Sequence, residues 1–392
     1  MNWEAGNWVE VRSREEILRT LDENGRLESL PFMPQMFQYC GQRFQIYKRA
    51  HKTCDAPGSL GGLKLPHGIH LEHRCDGKAY GGCQASCLLF WKEAWLKPVY
   101  AKASGQADKE FVAQFPPAAR CTENDVWRAT KRPQHPGEPT RYSCQATEVL
   151  DFARLLKWWD ARQYADDYLS GNTPLSRIIC GFIYQTYYYG TLAYKEKWGE
   201  PARWLYDRFQ ALWGGVPFPR RKGKIPAGRP TPPGYQGRIR PGDLVRVKPL
   251  EQILATLDTA GKNRGLHFDA EMVPFCGKVF RVKTMVERFV DEKTGVMRAL
   301  KTPAFILDGV WCLSRYSTRK MFCPRSIYSW WRETWLERIA EEPQLDGKEA
   351  GPAAEVPCPL SLAVSGPSSE DASRAPAKDA SPASPMAASR LS

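Results

Sequence analysis

The chain has 392 residues, 42% of them hydrophobic and 12% aromatic, enough apolar surface for two or three domains with cores of their own. Its formal charge of +13 and pI near 9.2 favour an anionic partner (nucleic acid, an anionic membrane surface or an acidic polymer) without choosing among them. The first residues, MNWEAGNWVEV, lack the basic and apolar regions of a secretory signal, and the longest charge-free run, 178–194, carries Gln185, two Thr and two Gly and is too polar for a spanning helix. The expectation is a cytoplasmic protein, peripheral at most if it meets a membrane, in which spaced cysteines point to metal or buried thiols rather than disulfides.

In chain order, residues 8–12 read as a short strand. A helix follows, with Ser13 as N-cap, Glu16 three residues later, an apolar stripe of Ile17, Leu18 and Leu21, and Gly25 as its stop. The same plan returns far downstream. Residues 9–44 recur without a gap at 245–280: Val9, Val11, Ile17, Leu21, Phe32, Met36, Cys40 and Phe44 meet Val245, Val247, Ile253, Leu257, Phe268, Met272, Cys276 and Phe280. The register resumes four residues out of step at Cys83/Cys323, Trp91/Trp331, Trp95/Trp335 and Leu96/Leu336. One module is thus expected twice, at 8–97 and 244–337, and called here the first and second module.

Between its conserved-looking ends each module reads as alternating strands, with DEKTG at 291–295 as a hairpin turn. Tryptophans at i,i+4 (91 and 95; 331 and 335) predict a closing helix over 87–96 and over 327–339. The fold class expected is α+β: two small β-rich modules of SH3-like barrel type, each with a closing helix, joined by an aromatic helical segment. The divisions are 1–97, an irregular Cys-containing extension 98–150, the aromatic helical segment 151–213, a basic Pro/Gly linker 214–242, the second module 243–340 and a tail 341–392 too poor in apolar residues to order itself. The linker is expected to be flexible and to offer Arg220, Arg221, Lys222 and Lys224 to an anion.

The modules share a plan but not their polar chemistry. Cys40/Cys276, Cys75/Cys312 and Cys83/Cys323 are matched, whereas the first module adds Cys54, Cys87, His51, His67, His70 and His73, with Cys121 and Cys144 just beyond it. Matched thiols have a plain reading as small buried hydrophobes. The first module's excess has a sharper one: Cys54, Cys75, Cys83 and Cys87 around one zinc, with His51, His70, Cys40, Cys121 and Cys144 as alternate ligands, or an iron–sulfur cluster in zinc's place. GGCQASC at 81–87 would put two thiols at the start of the closing helix, where thiolate is favoured. Against the metal, there is no CxxC knuckle. No template of a hydrolase nucleophile, zincin, P-loop or dinucleotide site is present. The functional expectation is a metal-stabilised scaffold or binding module for an anionic partner, not an enzyme; the alternative is a redox or thiol-dependent enzyme using the same cysteines and histidines.

HKTCD (51–55), RCDGKAYGGCQASCLLFWKEAWL (74–96), YSCQATE (142–148), KWWDARQY (157–164), MVPFCGKVFRV (272–282) and MFCPRSIYSWWRETWLERI (321–339) resemble one bacterial protein family without an assigned activity, ligand or fold. The resemblance implies a bacterial source and transfers no functional residue.

Overall fold

The computed structural model describes residues 3–55, 60–99, 101–193, 199–213, 223–226, 228–317 and 319–339. They form an α+β fold of several small antiparallel sheets with helices between. In the first module a capping box starts the helix Arg14–Thr20: Glu16 N–H donates to Ser13 Oγ at 3.2 Å and Ser13 N–H to Glu16 Oε2 at 2.9 Å. The strand before it, Trp8–Val11, lies between Arg43–Gln45 and Leu96–Pro98, with Val9 opposite Phe44 and Val11 opposite Leu96. In the second module Leu244–Val247 lies between Val279–Val290 and Leu336–Arg338, with Val245 opposite Phe280 and Val247 opposite Leu336.

The agreement extends to single hydrogen bonds. Trp95 Nε1 donates to Thr20 Oγ1 at 2.9 Å, and Trp335 Nε1 to Thr256 Oγ1 at 2.9 Å. The backbone N–H groups of Arg12 and Lys248 donate to the carbonyls of Trp95 and Trp335, each at 2.9 Å. Trp91, Trp95 and Phe32 form the centre of one core, and Trp331, Trp335 and Phe268 the centre of the other, all nearly free of solvent. Large rings remove much apolar area per residue, so two short modules each obtain a dense core.

The closing helices are not there. In both modules the segment is a strand, a 3-10 turn and a second strand: Trp91–Lys92, Glu93–Trp95, Leu96–Pro98 and Tyr328–Trp331, Glu333–Trp335, Leu336–Arg338. Trp91 pairs with Ile69, and Leu96 with Val11, so ladder hydrogen bonds to two different strands win over a local helix. A strand residue followed by one tight turn brings residues i and i+4 into one core as well as a helix does. None of the described sheets closes on itself, so the SH3-like barrel expected from the sequence does not form among them.

Helices Arg162–Leu169, Leu175–Ala193 and Gly199–Trp213 follow the expected aromatic segment, although Arg154–Leu156 is a strand on Gly62–Lys64. Tyr164 and Ile178 from these helices cluster with Met321 and Phe322 of the second module, and the Tyr184 ring meets that of Tyr316 at 5.3 Å. No helix among the described residues is long and apolar enough to cross a membrane. Within the linker, the described residues are packed rather than free. Gly223 and Ile225 bond to Asp258 and Leu257, Thr231 and Ile239 are buried, and Gly234 lies against Arg332 and Thr302. Arg220, Arg221, Lys222 and the tail 341–392 lie outside the described residues.

Each Trp–Thr bond should matter equally. Thr20→Val and Thr256→Val each leave a buried indole N–H without a partner, an expected loss of about 1–3 kcal/mol apiece in urea unfolding.

Candidate functional site

The cysteine loop of the first module is built on backbone that glycine makes accessible. Residues 77, 81 and 82 are glycines with φ of +69°, +63° and +76°, and a Cβ at Gly77 would lie 1.8 Å from the Cys83 carbonyl oxygen. Cys75 N–H donates to the Cys87 carbonyl at 2.8 Å and closes the loop. Gly77 N–H, two residues past Cys75, donates to its sulfur at 3.4 Å, and Gln35 Nε2 does so at 3.3 Å. Cys144, brought beside the loop by the Lys131–Tyr142 bridge, receives the N–H groups of Ala146 and Thr147 on its sulfur.

Cys75, Cys83, Cys87 and Cys144 are neighbours, every one of the six pairs interacting electrostatically. Burial pushes Cys75, with the other thiols, and Cys87, with Glu292 and then the other thiols, well above the usual thiol range, and Cys144 up to about 11. A helix N-terminus does not act on Cys83 and Cys87, because no helix follows them. Cys75, Cys87 and Cys144 are neutral at physiological pH.

The corresponding loop of the second module is three residues longer between its first two cysteines and closes with the same kind of bond. Cys312 N–H donates to Ile327 carbonyl at 2.7 Å, where Cys75 bonds to Cys87. Ser314 stands where Gly77 does, with φ +51°, and its N–H and hydroxyl reach the Cys312 sulfur. Here the third thiol crosses from the other module. Cys54, on the strand Lys52–Cys54, is hydrogen-bonded to Cys323, and its carbonyl accepts Arg325 Nη1 at 2.9 Å. The Cys323 thiol holds Cys54 below its usual pKa, with Arg325 and Lys320 reinforcing the shift against burial; Cys323 is raised in turn.

The exchange is reciprocal. Val290 N–H, at the tip of the second module's hairpin, donates to the Cys83 sulfur at 3.3 Å, and Val290 is the residue 236 positions after Cys54, the spacing of the repeat. Gln84 N–H donates to Arg288 carbonyl at 3.1 Å, and Gln84 Oε1 accepts the N–H groups of Glu287 and Arg288. Each module's hairpin therefore covers the other's cysteine loop.

The expected set of Cys54, Cys75, Cys83 and Cys87 is divided: Cys54 belongs with Cys323 and Cys312, and Cys144 takes its place beside the other three. His51 and Lys52 face the buried Asp167, at 3.2 and 2.5 Å. His70 is fully buried, its Nδ1 on the Leu89 carbonyl at 2.8 Å. Cys40 ends a 3-10 turn as Cys276 does, and Cys121 packs near Gly25. Among the described residues no three His, Cys, Asp or Glu side chains gather their ligating atoms closely enough to hold a metal ion.

Beside the four-thiol group, Lys78, Ala79, Trp127, Arg128, Thr130, Lys131, Arg132 and Pro133 line a groove of about 780 Å³. Trp127 is 48% exposed there. Arg128 pairs with Asp125, and Arg132 with Glu148 at 2.8 Å. Sequence reading passed over this groove because its cations are scattered between residues 78 and 132. Of the basic residues expected to bind an anion, Lys224 alone is described, and it is exposed.

Comparison with protein-family models, with curated proteins and with solved structures finds no match to this chain.

Burial holds His70 down to about 3 and His73, stacked on Tyr39 at 3.7 Å, down to about 4. Both imidazoles are neutral in the fold, so neither affects stability above the unfolded pKa near 6.5. Below it the unfolded chain takes up protons that the folded chain refuses, and each histidine removes about 1.4 kcal/mol per pH unit until its folded pKa is reached. His73→Phe should flatten the dependence of unfolding free energy on pH by one proton between about pH 6.5 and 4, read from urea titrations at stepped pH.

Proposed function

We propose that this chain is a two-module binding scaffold, its modules 8–97 and 244–337 copies of one unit, that holds an anionic polymer in the groove beside its four-thiol group. The observation that carries the reading is the attachment of the groove's walls. Lys78 lies in the loop between Cys75 and Cys83, and residues 128–133 lead through the Lys131–Tyr142 bridge to Cys144. Anything that fixes the thiols fixes both walls. An exposed indole between Lys78, Arg128 and Lys131 is the combination that binds single-stranded nucleic acid, the ring stacking on a base while the cations meet phosphate.

A structural zinc on Cys75, Cys83, Cys87 and Cys144 is part of the proposal. The N–H donors already on the Cys75 and Cys144 sulfurs are of the kind that stabilise thiolate. The metal would draw the four sulfurs inward to bonds of about 2.3 Å and displace their protons, so affinity should fall as pH falls. About one zinc per chain is expected by elemental analysis of protein purified without a metal-binding tag. Cys144→Ser should abolish it and Cys323→Ser should not.

Binding is tested with a labelled single-stranded oligonucleotide by fluorescence anisotropy. Trp127→Ala should cost about 1–3 kcal/mol of binding free energy. Lys131→Ala should reduce the slope of log K against log salt by about 0.7, the increment for one phosphate contact on a single strand. Binding that ignores both substitutions would remove the groove from the reading.

A second reading, thiol chemistry, is favoured by the Cys54–Cys323 pair: a thiol held below its usual pKa by a second thiol and two cations is a nucleophile in waiting. Cys323→Ala should raise the pH at which Cys54 is alkylated by iodoacetamide, followed by mass spectrometry.

A further inference from the structure

The second module carries a ligand of its own. Residues 231–238, Thr-Pro-Pro-Gly-Tyr-Gln-Gly-Arg, run across it with bends at Gly234 and Gly237, the latter at φ +75°, before the chain enters the strand Leu244–Val247. The Glu333 carboxylate accepts three successive backbone N–H groups, those of Gln236 at 2.5 Å, Gly237 at 2.9 Å and Arg238 at 2.6 Å. Glu333 N–H donates to the Gly234 carbonyl at 3.0 Å, Asn263 Nδ2 to the Pro232 carbonyl at 3.2 Å, and Arg264 N–H to Thr231 Oγ1 at 3.0 Å. A Cβ on Gly234 would sit 2.9 Å from Asn263 Oδ1 and 3.0 Å from Arg332 and Thr302, so the segment passes through a slot that only glycine fits.

The register of the two modules places Leu27, Glu28, Lys92 and Glu93 where the second has Asn263, Arg264, Arg332 and Glu333. Those four residues line a cavity of about 330 Å³ in the first module, with Trp3, Phe111 and Phe115 among its other walls. Glu93 is 17% exposed, and its carboxylate meets Arg49 at 3.5 Å and His67 at 3.4 Å, both long, and no backbone N–H among the described residues. One contact differs: Glu93's own N–H is taken by the His67 carbonyl at 2.9 Å, where Glu333's goes to Gly234.

We propose that this cavity is a peptide site, taking a glycine- and proline-rich segment of a protein partner that turns so that successive backbone N–H groups are accepted by the Glu93 carboxylate. The inference rests on the equivalence of the two modules proposed above. The occupied groove of the second module supplies the ligand's chemistry: a glycine at the slot and, after it, a bend at a second glycine that aims a run of N–H groups at one carboxylate. A carboxylate accepting two or three N–H groups is a strong, charge-assisted contact, and one blind to the side chains of the peptide. Specificity falls to the slot and to the aromatic walls. This site is separate from the basic groove at Trp127 and takes a different class of partner.

The test uses the full chain and a fluorescein-labelled synthetic peptide with the sequence of residues 231–240, followed by anisotropy. Saturable binding is expected, weakened about tenfold or more by Glu93→Ala. Because that substitution could act through folding, a second arm leaves the protein untouched: a peptide N-methylated at its Gln, second Gly and first Arg should lose binding to the same degree. A photo-crosslinker at the peptide's Tyr should label the Trp3, Phe111 or Phe115 region. Absence of saturable binding, indifference to both Glu93→Ala and N-methylation, or cross-links confined to the second module would overturn the proposal. So would self-association of the chain that Glu93→Ala abolishes while the free peptide never competes, since the occupant would then be a second copy. None of these failures touches the module equivalence, which the paired Thr20→Val and Thr256→Val measurements address separately.

Discussion

The crossing of hairpins between the two modules is the constraint on which the rest of the structure depends. Each cysteine loop is covered by the other module's hairpin. Val290, buried at 6%, belongs to the core of the first module although it is carried by the second, and Met297 packs there with it. Cys54 makes the reverse crossing to Cys323 and Arg325. Burying a residue such as Val290 contributes on the order of 1.5–3 kcal/mol, and only when both modules are in place. The exchange therefore couples the modules energetically and sets the two thiol groups on either side of one junction.

Shared turns at the ends of loops of different length explain how like loops acquire unlike chemistry. Gly77 and Ser314, Gly82 and Phe322, and Ser86 and Ser326 all have positive φ at corresponding positions. For Phe322 that conformation costs about 1–3 kcal/mol, sustained by its burial against Tyr164, Ile178 and Met321. With the path of the chain held this way, Cys87 can become Ile327 without altering the bond that closes the loop. The first loop gains thiols from its own extension at Cys144, while the second borrows one across the junction. The charges follow the same division: Arg325, raised by Glu292 against its burial, and Lys320 lie beside Cys54, and no comparable cation is placed against Cys144.

Part of the fold was legible in local spacing and in the likeness of residues 9–44 to 245–280. Val9 opposite Phe44 and Val245 opposite Phe280 follow from one alignment, and the Ser13–Glu16 capping box from local spacing alone. The closing helices misled because tryptophans four apart satisfy both a helix and a strand broken by a 3-10 turn. The grouping of the thiols was legible only within the loop. Cys75, Cys83 and Cys87 lie close in sequence, whereas Cys54 meets Arg325 from 271 residues away, and no periodicity encodes such a contact. The linker misled for the opposite reason: proline and glycine suggest freedom, but in 231–238 the glycines supply the narrow slot at Gly234 and the turn at Gly237 that docking requires.

The docked linker also accounts for the different furnishing of two corresponding grooves. A segment joined to its own module binds at a high effective concentration, so a few backbone contacts to Glu333 suffice to seat it. A separate chain entering the first module loses translational and rotational freedom that the tethered segment has already given up. It needs additional contact area, and the first groove has it: Trp3, Phe111 and Phe115 line the cavity, the last two from the Ala101–Gln114 helix and its end. Arg12 fixes that helix by its ion pair to Asp108 at 2.8 Å and by stacking on Phe111 at 4.1 Å. Aromatic walls supplied by an added helix are the physical complement of a ligand that arrives untethered.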